Sequence, residues 1–262
     1  MNTTDSRQKF IIENVNEHGS VKVVDLAAHL EVSEMTIRRD LIELERIGLI
    51  RRVHGGAISA RGRSYEPPLG LRSIENQEVK KRLGRYAAEM IAEGNSISLD
   101  IGSTIRALAE QLRGLHNITV ITPSLSIAGL FLDRADIRLI LPGGIVRPGE
   151  MSMIGDLCRR NLELLFVDRL FLGVGAIDSK ANLTEYNLDD TLIKQIMIHN
   201  AKEVVLIVDS SKFERVAFAH VASFNVLQHC IVDAIPPKPL LDAMKSANVT
   251  VHVVCEDNVK IL

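Results

Sequence analysis

Apolar positions in the first sixty residues fall at helical spacing and then switch to the alternation of short strands. Phe10, Ile11, Ile12 and Val15 share one side of a helix predicted over 7–17, which Gly19 ends. Leu26, Ala27 and Leu30 face inward from a short second helix over 23–30. Three residues on, Ser33 stands where its hydroxyl caps a third helix. In that helix Ile37, Leu41, Leu44 and Ile47 recur as one continuous buried stripe. The opposite face carries Met35, Thr36, Arg39, Ile42 and Glu43, with Arg38 on its flank, and Gly48 stops the helix. Residues 49–53 and 57–59 read as a hairpin closed by Gly55-Gly56, a dipeptide that tolerates the positive φ of a tight turn. Three helices followed by a hairpin predict a winged helix-turn-helix over 1–59.

Residues 60–76 (ARGRSYEPPLGLRSIEN) lose all periodicity and read as a linker, stiffened at Pro67-Pro68. From 77 to 262 apolar strands alternate with helices. Strands are predicted at 96–100, 118–122, 137–141, 169–174, 204–209, 218–224, 229–233 and 249–254. Helices are predicted at 78–92, 104–113, 124–132, 187–200 and 238–247. That alternation implies an α/β domain with a mostly parallel sheet covered on both faces. Its length makes it the natural platform for a homo-oligomer, since small DNA-binding modules need two or more copies on one DNA.

Composition narrows the class. Of 262 residues 46% are hydrophobic and 24% charged, enough apolar material for a real core. With no Trp, packing rests on Val, Ile, Leu and Ala. The three cysteines (Cys158, Cys230, Cys255) form no CxxC pair, which argues against a disulfide framework or a thiolate metal site and for a reducing cytosol. Asp5, Arg7, Lys9, Glu13 and Glu17 exclude a signal-peptide core, and no apolar run is long enough to span a bilayer. Neither metal nor cofactor is expected. The net charge of −2 gives no hint of nucleic acid, but its distribution does. Between Arg46 and Arg63 lie Arg51, Arg52, His54 and Arg61, with no acidic residue.

The chemistry therefore divides between two places. Arg38 and Arg39 suit guanine O6 and N7 or phosphate, and Thr36 suits either; Ser33 and Met35 flank them on the exposed turns that enter a major groove. Arg51, Arg52, His54, Gly55 and Gly56 would form the wing, touching backbone or minor groove. The second place is the strand end Asp100-Ile101-Gly102-Ser103-Thr104, where backbone N–H groups, two hydroxyls and a following helix suit a phosphate. Thr122-Pro123-Ser124, Pro142-Gly143-Gly144 and Asp209-Ser210-Ser211-Lys212 repeat that chemistry at other strand ends. Asp100, Glu185 and Asp209 offer carboxylates to sugar hydroxyls or, alternatively, to acid–base work. Gly173-Val174-Gly175 lacks the third glycine of a dinucleotide fingerprint.

The segment VSEMTIRRDLIELERIGLIRRVHGGA (32–57) closely resembles the signature of the DeoR family of bacterial transcriptional regulators. The resemblance continues through DIGST (100–104), TPSL (122–125), LPGG (141–144), FLGVGAID (171–178) and DSSKF (209–213), and so covers nearly the whole chain. It implies a repressor whose second domain is similar to ribose-5-phosphate isomerase and coenzyme A transferases. That domain would bind a phosphorylated sugar or sugar derivative and so alter affinity for double-stranded operator DNA. Carried over by position, Asp100, Gly102, Ser103, Thr104, Gly143, Gly144 and Lys212 are pocket residues, joined by Thr122, Ser124, Glu185 and Lys194. The departures are Ser103 for a common Thr, Pro123 for a common Asn, Glu214 for a frequent Gly, and a distinctive LTEYNLDD at 183–190. The rival reading is a sugar-phosphate isomerase or deaminase with an accessory DNA-binding module. A repressor with a degenerate pocket is a third.

Overall fold

In the computed structural model the described residues are 4–262, apart from 19, 48, 60, 61 and 257; of 5, 16–18 and 59 only the backbone is described. The expected helix stops at Gly19 and Gly48, and Arg61 of the basic run, lie outside them. Two compact units divide the chain, Met1–Tyr65 and Glu66–Leu262.

The first unit runs α1 (Thr4–His18), β1 (Ser20–Lys22), α2 (Val23–Leu30), α3 (Glu34–Arg46), β2 (Ile50–Val53) and β3 (Gly56–Ser59). Ile11, Val15, Leu26, Leu30, Ile37, Leu41 and Leu44 close one core. Ile47 departs from the predicted stripe: it caps α3 and is 50% exposed, because helical φ/ψ ends one residue earlier. Asp40, on the buried side of α3, meets Arg7 of α1 through two contacts, one of them 3.0 Å from Arg7 Nη2 to Asp40 Oδ1. The wing also differs in detail. His54 and Gly55 make the turn, with Gly55 at φ +77°, while Gly56 begins β3. Gly56 serves a different need, since a Cβ there would stand 2.0 Å from Val21 O on the paired strand β1.

The second unit opens with α4 (Leu69–Ile74) and α5 (Gln77–Ala88), so the end of the segment read as linker is folded into it. Short, mostly exposed helices such as α4 leave no apolar period to read. There follow β4 (Ser96–Leu99), α6 (Ser103–Ala109), β5 (Ile118–Ile121), α7 (Leu125–Ala128) and β6 (Ile137–Ile140). A hairpin of β7 (Ile145–Arg147) and β8 (Ser152–Ile154), then α8 (Asp156–Glu163), lead to β9 (Val167–Leu172). Next come β10 (Ala176–Ile177), β11 (Asn182–Glu185), α9 (Leu188–His199), β12 (Ala201–Ile207) and β13 (Ala219–Ser223). The chain closes with β14 (His229–Val232), α10 (Lys238–Ser246), β15 (Thr250–Val254) and β16 (Val259–Ile261).

Eight strands form the main sheet in the order β16-β15-β14-β12-β9-β4-β5-β6, parallel except for β16. Alternate residues feed opposite faces. Leu170, Leu172, Val204 and Leu206 enter one core with Cys158, Ile193 and Met244 from α8, α9 and α10. Phe171, Val205 and Ile207 enter the other with Leu83, Ile105 and Ile127 from α5, α6 and α7. Both faces are covered, which is why these strands read as unbroken apolar runs. The chain builds β4, β5 and β6 outward in one direction, then returns to place β9 on the other side of β4 and builds outward again. The crevice outside the carboxyl ends of β4 and β9 is thus a topological switch point, where open α/β sheets bind ligands.

Candidate functional site

In the first unit, Ser33 Oγ accepts from Thr36 N at 3.2 Å and so fixes the start of α3. Met35, Arg38 and Arg39 are exposed on it, and Thr36 is half-buried beside the cap. The arginines are not equivalent. Arg38 pairs with Glu34 at 3.2 Å, and Arg52 with Glu45 at 2.7 Å. Arg39, Arg51 and His54 are exposed, and their side chains have no hydrogen bond or ion pair among the described residues, so their polar ends are free for a partner. Val23 N donates to Gly55 O at 2.9 Å, which ties the wing turn to the start of α2.

In the second unit a polar cleft lies at the switch point, where the chain leaves β4, β9 and β12. Gly102, Ser103, Thr104, Glu185, Lys194 and Lys212 line it. Asp100, expected in the pocket, does not itself line the cleft: it is 1% exposed and meets the cleft through Lys194. Its Oδ2 accepts from Gly173 N at 3.0 Å and from Lys194 Nζ. Lys194 also donates to Gly173 O at 3.0 Å and stands 3.4 Å from Glu185 Oε2. Asn187 caps α9 by accepting from Asp189 and Asp190 N–H, and the buried side of that helix then carries Asp190, Ile193, Lys194 and Met197. Burial acts against the Lys194 charge, but Asp100 and Glu185 outweigh it and hold the ammonium above the usual lysine range. Burial pushes the Asp100 carboxyl up, with Lys194 opposing.

Four expected pocket residues lie elsewhere. Thr122 Oγ1 accepts from Ser124 N, and Ser124 Oγ accepts from Ile127 N to cap α7. Gly144, at φ +115°, lets the chain pass where a Cβ would be 2.5 Å from Ile154 O, and Gly143 turns beside it at φ +74°. None lines the cleft, because β5 and β6 lie outward of β4 in the sheet. Asp209 is also withdrawn: it caps the turn at Ser211 N and accepts from Asn76 Nδ2 at 3.3 Å.

Five residues that sequence reasoning missed adjoin the cleft in a web of buried charge. Arg72 of α4 reaches Glu66 Oε1 at 3.0 Å and also Glu150. Arg147 reaches Glu66 Oε2 at 2.8 Å and Asp190 Oδ2 at 2.5 Å. Ser152 Oγ donates to Asp190 Oδ1 at 2.9 Å. These positions come from three separate segments, so no local spacing announces them.

Glu66 is the weak member. Burial pushes its carboxyl up to about 7, Arg72 opposing and Glu150 and Glu185 assisting. An acid raised above its unfolded value favours the protonated folded state. Its stabilising contribution is therefore full below the ordinary value of 4.5 and is lost as pH rises through about 7. Glu66→Gln, which cannot ionise, should gain on the wild type by about 1–3 kcal/mol between pH 5 and pH 8. Urea midpoints at the two pH values measure this, and an unchanged difference would refute it.

Comparison with known proteins matches residues 7–62 to the DeoR-like helix-turn-helix domain and residues 75–234 to the DeoR C terminal sensor domain. The chain belongs to the DeoR family. It is a DNA-binding transcriptional regulator, and the resemblance read from its motifs is borne out. It is 33% identical over 247 residues to the glycerol-3-phosphate regulon repressor of Escherichia coli (strain K12), covering 94% of this chain and 98% of that one. It is 32% identical over 255 residues to the putative aga operon transcriptional repressor of Escherichia coli O157:H7, covering 97% and 95%. A crystal structure of ribose 5 phosphate isomerase A from Neisseria gonorrhoeae is similar over 53% of this chain and 54% of that one, at 20% identity and a TM-score of 0.39. Within this DeoR-family chain no described helix is long and apolar enough to cross a membrane. The described residues contain no cluster of three or more His, Cys, Asp or Glu able to hold a metal.

Proposed function

We propose that the chain is a cytosolic, homo-oligomeric repressor of a carbohydrate-utilisation operon, and that a phosphorylated sugar or related metabolite bound in the switch-point cleft changes its affinity for operator DNA. The observation that carries this reading is the cleft itself. The Gly102–Ser103–Thr104 turn offers N–H and hydroxyl donors. Lys212 adds a compact cation with no partner among the described residues. Glu185, paired with Lys194, lines the same cleft and offers a carboxylate to sugar hydroxyls. Donors and an acceptor in one cleft suit a phosphorylated polyol. The relative named for the glycerol-3-phosphate regulon fits that chemistry.

The same geometry speaks against Schiff-base chemistry in the cleft. Lys194, held charged by Asp100 and Glu185, has no free amine for nucleophilic attack. Sugar phosphates incubated with the protein should be recovered unchanged.

The test pairs a thermal-shift screen of phosphorylated and unphosphorylated sugars with operator binding. A ligand present at a hundred times its Kd stabilises by about 2.7 kcal/mol. Lys212→Ala should lose most of that shift, and the ligand-induced change in operator affinity with it, while binding operator as the wild type does. If Lys212→Ala kept the full ligand response, or lost operator binding while folded, the phosphate would not sit here.

A further inference from the structure

Arg72 occupies an unusual place in the cleft. Among the described residues it is the one cleft-lining arginine, and it belongs to the short segment that follows the winged-helix unit in the chain. Its Nε donates to Pro67 O at 2.8 Å, and its Nη2 is shared between Glu66 and Glu150. Its Nη1 has no hydrogen-bond partner among the described residues and lies 3.7 Å from where a Cβ on Gly102 would stand. The guanidinium therefore holds residues 66–74 in place with one edge and presents the other to the Gly102–Ser103–Thr104 turn.

The surrounding charge makes that hold conditional. Glu66 already leans toward the neutral form, because burial pushes its carboxyl up to about 7. The second oxygen of Glu150 and the Nε of Arg147 are buried without a hydrogen-bond partner, so the web is not saturated. Lys194 is fully engaged by carboxylates, which leaves Lys212 and the free edge of Arg72 as the cations an incoming anion can use. A dianion between them would compete with Glu66 and Glu150 for one guanidinium.

We propose that Arg72 is a transferable ligand: an anion bound against residues 102–104 takes it from Glu66 and Glu150 and so loosens residues 66–74, the segment that carries the chain on from the winged helix. This rests on the reading of the cleft as a phosphate site, and adds which residue converts occupancy into a change outside the cleft. The carboxylates are competitors of the ligand, so weakening them strengthens binding. A purely structural ion-pair web would give the opposite sign.

The experiment titrates inorganic phosphate into the full chain by calorimetry, with chloride at matched ionic strength as the blank, and follows amide exchange of residues 69–75. Arg72→Gln should weaken phosphate by about tenfold or more, the loss of one charge-assisted contact. Glu150→Gln should tighten it by about three- to tenfold. If Glu150→Gln does not fold, Glu66→Gln takes its place with the same expected sign. In the wild type, phosphate should speed exchange at Arg72 and Glu75, whose N–H groups donate to Pro68 O and Leu71 O. Wild-type affinity in Arg72→Gln, weaker binding in the Glu→Gln variant, or slower exchange on binding would each overturn the proposal. Lys212→Ala separates the two readings. If it loses phosphate while Arg72→Gln keeps it, the site stands and the transfer falls; if the wild type binds no phosphate, both fall.

Discussion

Lys194→Met is expected to destabilise the sensor unit by about 3–5 kcal/mol, while Lys212→Ala changes its stability by less than about 0.5 kcal/mol. The two lysines serve one cleft but sit in opposite surroundings. Lys194 is buried between Asp100 and Glu185, and its removal leaves two buried carboxylates without their cation. Lys212 is half-buried in the cleft lining, and its ammonium has no partner among the described residues to strand. The sign of the pH dependence follows. Burial already pushes Asp100 up, and without Lys194 only the backbone N–H groups of Ile101 and Gly173 oppose it, so the variant's folded state holds protons that its unfolded state has lost. The deficit should therefore be larger at pH 8 than at pH 5. Urea unfolding at both values checks this, and equal stability of Lys194→Met and wild type at pH 8 would show that the ion cluster contributes nothing.

On DNA, the pairing pattern ranks the arginines. Arg39→Ala should weaken operator binding by about 1–3 kcal/mol and relax selectivity at one base pair, as expected for a bidentate guanine contact. Arg51→Ala should weaken binding to all sequences alike and reduce the salt slope by about one. Arg52→Ala should cost less than Arg51→Ala, because Arg52 must first leave Glu45, which also accepts from its backbone N–H at 2.8 Å. Fluorescence anisotropy on operator DNA at several salt concentrations separates the three. If Arg39→Ala and Arg51→Ala both bound as wild type while folded, α3 and the wing would not be the reading surface.

Local pattern carried much of this molecule. The Ser33 cap, the Ile37–Leu41–Leu44 stripe and the apolar strands could be read because each depends on neighbours within a few residues. The sheet's parallel character followed from helices between strands. What escaped depends on distance in the chain. Ile47 and Gly56 were misplaced because a helix end and a strand crossing were settled by partners elsewhere, in the second case by Val21. The hairpin of β7 and β8 and the pair β10 and β11 were missed because two to four residues are too few to show a period. Gly102, Ser103, Thr104 and Lys212 could be named from their strand ends, but Glu66, Arg72, Arg147, Glu150 and Asp190 meet only in three dimensions. Pro67-Pro68 disguised the first two as linker.

The return of the chain to place β9 beside β4 has a consequence during synthesis. Strand β4 pairs on one side with β5, which follows it closely, but its other edge is covered only when residues 169–171 arrive. Until then a growing chain displays an unsatisfied edge on Ile97 and Leu99, both wholly buried once folding is complete. Such an edge templates pairing with other chains. Slowed translation ahead of β9, or substitutions that delay α8 and β9, would prolong that exposure. They would lower the yield of soluble protein without altering the stability of the molecules that finish folding.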